Sequence, residues 1–391
     1  MPLQFFTQIF WVQQNAPRDV WLLLVSLIGA SRGIGALTFG LYGGALADRM
    51  DRRKLLLITQ SLLFLTTLAI AGLILFSDGS ASAFMLFFAM TFLASGLQSI
   101  DAPTRLALVP DILGPKLTAA GLSLNQAAGQ LSMPVALFAS GLIIDALGFG
   151  GAYLLSSVGH VVVIIAIVLM SFPMTFGDRV RHRGAYGFGQ AIRDVRYGLS
   201  YARNHPVILW IIILLATMMG FGFPATANLG PTWITTVVGV EIKYVGFVAM
   251  TWGIGAFLTA AAMARFSSFE HRGALIAVGT TLFSLAFVVF VIDHSVVNAV
   301  IGNFGLGAGM TMAMLSSTIL IQHMVRGRIM SILQLNMGFA QLMTLPIAAL
   351  GQWLTLQLLF PIMAFSALVM IVLILATHPE IMLARIPKTS F

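Results

Sequence analysis

Residues 21–43 and 55–76 are two apolar runs, each long enough to cross a bilayer. Eleven residues join them: Gly44-Ala45-Leu46-Ala47-Asp48-Arg49-Met50-Asp51-Arg52-Arg53-Lys54. A helix needs about 20 apolar residues to span the hydrocarbon. Four basic and two acidic side chains between two such runs mark a tight turn on the positively charged side of a membrane. The pattern recurs along the chain, so it dictates an all-α integral membrane protein.

The composition agrees. Hydrophobic residues make up 59% of the chain and charged residues 9%, against roughly 25% charged in a soluble domain. A soluble fold this apolar has too few polar side chains to cover its surface. The net charge of +8 suggests nucleic acid at first sight. The basic residues lie in short loops between apolar runs, however, so no nucleic-acid partner is expected. The absence of cysteine excludes disulfides, thiolate metal sites and cysteine nucleophiles. No basic n-region precedes the first apolar segment, so no cleavable signal peptide is expected.

The expected spans are a short stub over 3–14, then 21–46, 54–76, 83–107, 118–145, 151–172, 206–230, 243–264, 274–293, 295–322, 328–352 and 355–377. Alternating them places Arg49, Arg52, Arg53, Lys54, Arg105 and Lys116 on one side. Arg179, Arg181, Arg183, Arg193, Arg196, Arg203, Arg265, Arg272, Arg326, Arg328, Arg385 and Lys388 fall on the same side. Only Arg18 and Lys243 fall on the other, and Arg32 lies within a span. The bias assigns the crowded side to the cytoplasm, and a miscounted helix would scramble it.

The longest loop, 173–205, divides the chain near its middle. It carries Gly177-Asp178-Arg179-Val180-Arg181-His182-Arg183-Gly184 and then an amphipathic, interfacial stretch from Gln190 to Arg203. The expected organisation is a bundle over 1–172, a cytoplasmic linker over 173–205, a second bundle over 206–377 and a cytoplasmic tail over 378–391. An internal repeat supports two halves. At an offset of 211, Asn125 meets Asn336 and Gln130 meets Gln341, with Leu122, Leu124 and Leu131 meeting Leu333, Leu335 and Leu342. Leucine matches are cheap here, whereas the amide matches are not. Transporters built from parallel half-repeats leave this trace.

The 44–54 loop resembles the signature between the second and third helices of major facilitator superfamily transporters. Asp51 replaces that signature's last glycine, which is similar to the exporter branch containing enterobactin and macrolide exporters. Further matches are Asp101-Ala102-Pro103-Thr104-Arg105 with Val109-Pro110-Asp111, then Asp194-Val195-Arg196-Tyr197-Gly198-Leu199, Asn204-His205-Pro206 and Arg326-Gly327-Arg328-Ile329-Met330-Ser331. The resemblance implies two six-helix bundles with a pseudo-twofold repeat. It also implies alternating access, proton antiport, a small-molecule substrate (a siderophore or amphipathic drug) and a monomer in the cytoplasmic membrane. No cofactor, metal or enzymatic activity is implied. Rival readings are a metabolite transporter of the same fold and a transport-inactive membrane receptor or scaffold. No P-loop or Gly-x-Ser-x-Gly motif occurs, which leaves an ion gradient as the energy source.

The expected gate comprises Gly44, Asp48, Arg49, Asp51, Arg52 and Arg53, with Asp101, Arg105, Arg326 and Arg328 as partners. Asp48 can face the positive N-terminus of a neighbouring helix, and Arg52 is expected to pair with Asp101. The alternative is that these charges only set topology, which is the reading for Arg53 and Lys54. Arg32 sits mid-span in Gly29-Ala30-Ser31-Arg32-Gly33-Ile34-Gly35. A charge there costs about 3 kcal/mol or more and faces a partner or a wet cavity, so it is the leading cavity residue, facing an anionic substrate; a structural arginine bonded to carbonyls is the alternative. Gln98, Gln126, Gln130, Asn228, Asn336 and Gln341 are further cavity candidates, with helix–helix hydrogen bonding as the alternative. Gln126 and Gln130 share a face through their i,i+4 spacing. Gly129 to Gly141 is a thin version of the exporter motif on the fifth helix, from which Met133 and Ala136 depart. His160 is either a structural histidine or a proton carrier. No carboxylate lies at the centre of a full span. The stub resembles the outer half of a first helix, so the expectation is that the helix starts upstream of Met1 or that the chain is a truncated product.

Overall fold

In a computed structural model the chain is helical, and no strand occurs among the described residues. These are 2–77, 79–170, 200, 202–265, 269–324 and 330–385; the side chains of 41–45, 47–49, 115–116, 119, 323–324 and 330–339 lie outside that description. The expected linker (most of 173–205), Arg326, Arg328 and the end of the tail fall outside it as well.

The elements are α1 (Pro2–Asn15), α2 (Trp21–Arg49), α3 (Arg52–Phe76) and α4 (Ala81–Leu169). Then follow α5 (Pro206–Thr217), two π-turns (Met218–Gly222 and Pro224–Asn228) and α6 (Gly230–Thr236). The last are α7 (Ile242–Arg265), α8 (Arg272–Ile292), α9 (Val296–Met324), α10 (Met330–Trp353), α11 (Leu356–Thr377) and the short α12 (Glu380–Leu383). Among the described residues nine helices are long and apolar enough to cross a membrane. At 14 residues α1 reaches roughly 21 Å, short of the ~30 Å hydrocarbon core.

α4 is three helices in one continuous run. Gly114 and Gly148 stand at φ 70° and 68°, a left-handed backbone that a Cβ disfavours. They divide it into α4a (81–113), α4b (115–147) and α4c (149–169). The turn between α2 and α3 is tighter than the eleven-residue loop expected from sequence. α2 runs on to Arg49, and only Met50 and Asp51 lie between the helices. Asp51 makes this possible: its carboxylate accepts from the backbone N–H of Arg53 at 2.9 Å and of Lys54 at 3.2 Å, capping α3 at once. The seventh span is also longer than expected, because the π-turns and α6 carry the helical path beyond 230 to Thr236.

Two sets of helices pack tightly within themselves. In the first, α1, α2 and α3 all lie against α4. In the second, α9 packs on α7 and α8, and α8 on α11. The sets meet at two antiparallel seams, α2 with α10 and α4b with α7. Arg52, Arg105, Arg265 and Arg272 mark one end of the bundle, the basic face; the Pro17–Val20 turn marks the far face.

Both seams are closed in the half toward the far face. A Cβ on Gly33 would lie 2.7 Å from Gln341 Cβ, and one on Gly351 2.7 Å from a Leu22 methyl. A Cβ on Gly246 would run into the Phe138 carbonyl, and one on Gly141 into those of Ile242 and Lys243. Gln13 Nε2 donates to Thr235 Oγ1 at 3.3 Å and Gln352 Nε2 to the Asp19 carbonyl at 3.0 Å, stitching the far ends. Toward the basic face α4b parts from its neighbours: residues 122–129 are all exposed, and nothing lies within 4 Å of a Cβ placed on Gly129.

Candidate functional site

Arg32 lies one position from Gly33 on α2, and that step of about 100° decides its surroundings. Gly29 and Gly33 face the α10 seam, whereas Arg32 points into the first set. There it lines a narrow chamber with Gln4 and Gln8 of α1, Thr67 of α3, Thr91, Ser95 and Gln98 of α4a and Tyr153 of α4c. The chamber is internal to the first set. Arg32 Cζ stands 4.9 Å from the Phe5 ring centroid, a cation–π contact. Ser95 Oγ donates to the Arg32 carbonyl at 2.6 Å. Gln8 Nε2 donates to Tyr153 Oη at 2.7 Å and to Thr91 Oγ1 at 3.1 Å. Gln8, Thr91 and Tyr153 were not singled out from sequence. A glutamine amid Phe5-Phe6-Thr7-Gln8-Ile9-Phe10 is the signal that was available.

The other expected cavity residues separate into two groups. Asn228 and Gln341 meet at the α2–α10 seam, where Asn228 Nδ2 donates to Gln341 Oε1 at 3.2 Å and to Thr344 Oγ1 at 2.6 Å. The π-turn Pro224–Asn228 delivers Asn228 there, and π-turns frequently mark functional positions. Gln126 is exposed and Gln130 half-exposed on the parted stretch of α4b. The side chain of Asn336 lies outside the described residues.

At the basic face the charges pair differently from expectation. Arg52 Nη1 bonds to Asp111 Oδ2 and, at 2.8 Å, to the Ala107 carbonyl, rather than to Asp101. Asp101 is claimed within its own set: Arg105 Nε reaches it at 2.8 Å one turn along α4a. Gln60 Nε2 and Thr59 Oγ1 also donate to it, at 2.8 and 3.3 Å. With its side chain 3% exposed, Asp101 needs these three donors. His160 Nδ1 then meets Gln60 Oε1 at 2.8 Å, so a polar chain runs from half-buried His160 through buried Gln60 and Asp101 to exposed Arg105. Arg53 does more than mark topology, since its Nη2 donates to the Val168 carbonyl at 2.8 Å, satisfying the C-terminal end of α4c. Gly44, Asp48 and Arg49 lie in the last turns of α2, with side chains outside the description.

The family model described as Major Facilitator Superfamily matches residues 18–345. No curated protein matches by sequence. Among solved structures, the chain is similar to the nucleoside transporter NupG at a TM-score of 0.71 and 13% identity, covering 96% of this chain and 98% of that one. It is similar to the peptide transporter POT in complex with sulfate at 0.67 and 16%, covering 99% and 94%. A POT family transporter in complex with 5-aminolevulinic acid gives 0.69 and 12%, covering 97% and 95%. At these identities the likeness establishes the fold. Together with the family match over most of the chain, it identifies a multi-pass membrane transporter that belongs to the Major Facilitator Superfamily.

Proposed function

We propose that the chain is a proton-coupled exporter of an amphipathic small molecule, a drug or siderophore. The bundles over 1–172 and 206–377 would rock about a site between them, joined by the 173–205 linker, with that linker and the 378–391 tail in the cytoplasm. The observation that carries this reading is the asymmetry of the seams, closed toward the far face and parted along α4b toward the basic face. That is the form alternating access requires for loading from one side. With the basic face cytoplasmic, cargo enters past Gln126 and Gln130 and meets Asn228 and Gln341 where the seam closes. Asp48, Arg49, Arg52, Arg326 and Arg328 would shut the basic face in the opposite state.

Proton coupling is supported by the His160–Gln60–Asp101–Arg105 chain. Protonating Asp101 would release Arg105, whose side chain is 55% exposed and free to swing. The neighbours' names, peptide and nucleoside transporters, give a second reading, carriage of a polar metabolite, which the Asn228, Gln341 and Thr344 side chains at the seam favour.

The test is substrate accumulation in cells with and without the chain, each with and without a protonophore. Export should lower accumulation, and the protonophore should abolish the difference. Asp101→Asn should leave membrane expression intact and reduce protonophore-sensitive export at least tenfold. Full export by that variant would remove Asp101 from the proton path. Equal accumulation in all four conditions at verified expression would favour the scaffold reading.

A further inference from the structure

Arg32 carries a full positive charge in the middle of a span, and no carboxylate among the described residues pairs with it. The described ion pairs are Arg52–Asp111, Arg105–Asp101, Lys243–Glu241 and His378–Glu380. The Phe5 ring supplies a quadrupole and no counter-charge. An uncompensated guanidinium at this depth is expensive, and buried charges are paired as a rule.

The chamber wall supplies a second, independent sign of a missing ligand. Gln8 is 4% exposed, and its Oε1 has no hydrogen-bond partner. Which amide atom is oxygen is assigned from the surrounding bonds. Turning the amide over lets its oxygen accept the hydroxyl protons of Thr91 and Tyr153, but then its nitrogen is left over. In either orientation one end of a buried amide waits for a partner from the chamber. Beside Arg32, the orientation that completes the site is the one presenting N–H, giving a second donor next to the cation. In that orientation the Tyr153 hydroxyl, 2.7 Å from the Gln8 amide, donates to its oxygen and holds its N–H toward the chamber. The chamber admits a single small group, too little for a drug or a siderophore.

We propose that the Arg32 chamber is a site for a small monovalent anion of halide size, held by Arg32 and the Gln8 amide, which Tyr153 orients. The anion neutralises the arginine inside the membrane and pins α1, α2, α4a and α4c together. The site stands on its own geometry; that its anion is also moved with the cargo would rest on the transport reading above.

The test is thermal unfolding of the full chain purified in detergent, at constant ionic strength, with sodium chloride or bromide replacing sodium gluconate, an anion too large for the chamber. Chloride and bromide should raise the unfolding temperature saturably over gluconate, and Arg32→Gln should lose that rise. Tyr153→Phe removes a hydroxyl that holds the Gln8 amide, with little change of shape, and should raise the half-saturating chloride about tenfold; it also serves where Arg32→Gln fails to fold. Equal unfolding temperatures in chloride and gluconate would overturn the site. So would a halide-dependent rise undiminished in both variants. Because stability is read rather than flux, a failure here leaves the transport reading standing, and a failure of transport leaves the site standing.

Discussion

Gly33 shows how one absent side chain sets a working surface. A Cβ there would stand 2.7 Å from Gln341 Cβ, an atom bonded directly to the α10 backbone, so relief requires the helices to separate. Gly29 precedes it by one turn, and a Cβ there would lie 2.9 Å from Asn228 Nδ2. Together they bring α2 against α10 closely enough for the Asn228–Gln341–Thr344 bonds to form. Gly33→Val should therefore loosen the far-face closure at a cost of about 1–3 kcal/mol. With no native cysteine to interfere, Gln352→Cys can report this through labelling by an impermeant maleimide from the far side. Labelling should rise several-fold when Gly33→Val is added; an unchanged rate would mean that the seam does not depend on this glycine. Gly29-x-x-x-Gly33 has the spacing of small-residue packing. Arg32 was legible as costly. Its direction was not, because the step separating chamber from seam is one residue on a helix whose opposite faces are both buried.

The spans themselves were legible, because length and apolarity depend on the bilayer rather than on tertiary detail. Their joints were less so. Between the fifth and sixth spans the chain reads Asp145-Ala146-Leu147-Gly148-Phe149-Gly150-Gly151, with no polar loop. The turn is achieved by Gly148 alone at φ 68°, and three candidate glycines look alike until the backbone picks one. Replacing Gly148 with Ala should cost about 1–2 kcal/mol from the left-handed backbone and lower the thermal unfolding temperature in detergent. Gly72 is the control: it lies within α3, with nothing within 4 Å of an added Cβ. Gly72→Ala should leave stability unchanged or raise it by up to about 1 kcal/mol. If both variants unfolded alike, backbone conformation would not be what distinguishes the joint. The basic-face pairings were illegible for a related reason. Asp101 and Asp111 lie ten residues apart on one helix, and sequence alone could not say which of them Arg52 would reach.

At the scale of the whole molecule the repeat and the seams make one argument. The repeat aligned Gln130 of α4b with Gln341 of α10, and these helices carry the two seams between the sets. The aligned glutamines have different surroundings, since Gln341 is engaged by Asn228 in a closed seam while Gln130 stands half-exposed on a parted stretch. A molecule cycling between two states must exchange closed and parted regions between its faces, so holding the far face shut should stop the cycle. Gln13 and Thr235 join α1 to α6 across that face. With both changed to cysteine, a short bifunctional thiosulfonate should bridge them, abolish transport and release it again on reduction. The bridge should also preserve access at the other end. Gln126→Cys, added to that background with an impermeant form of the bridging reagent applied only from the far side, should react with impermeant maleimide from the basic face as fast as before or faster. Wild-type transport by the bridged protein would show that the far face need not open. Loss of Gln126→Cys labelling on bridging would show that the two faces close together, and alternating access would then fail for this chain.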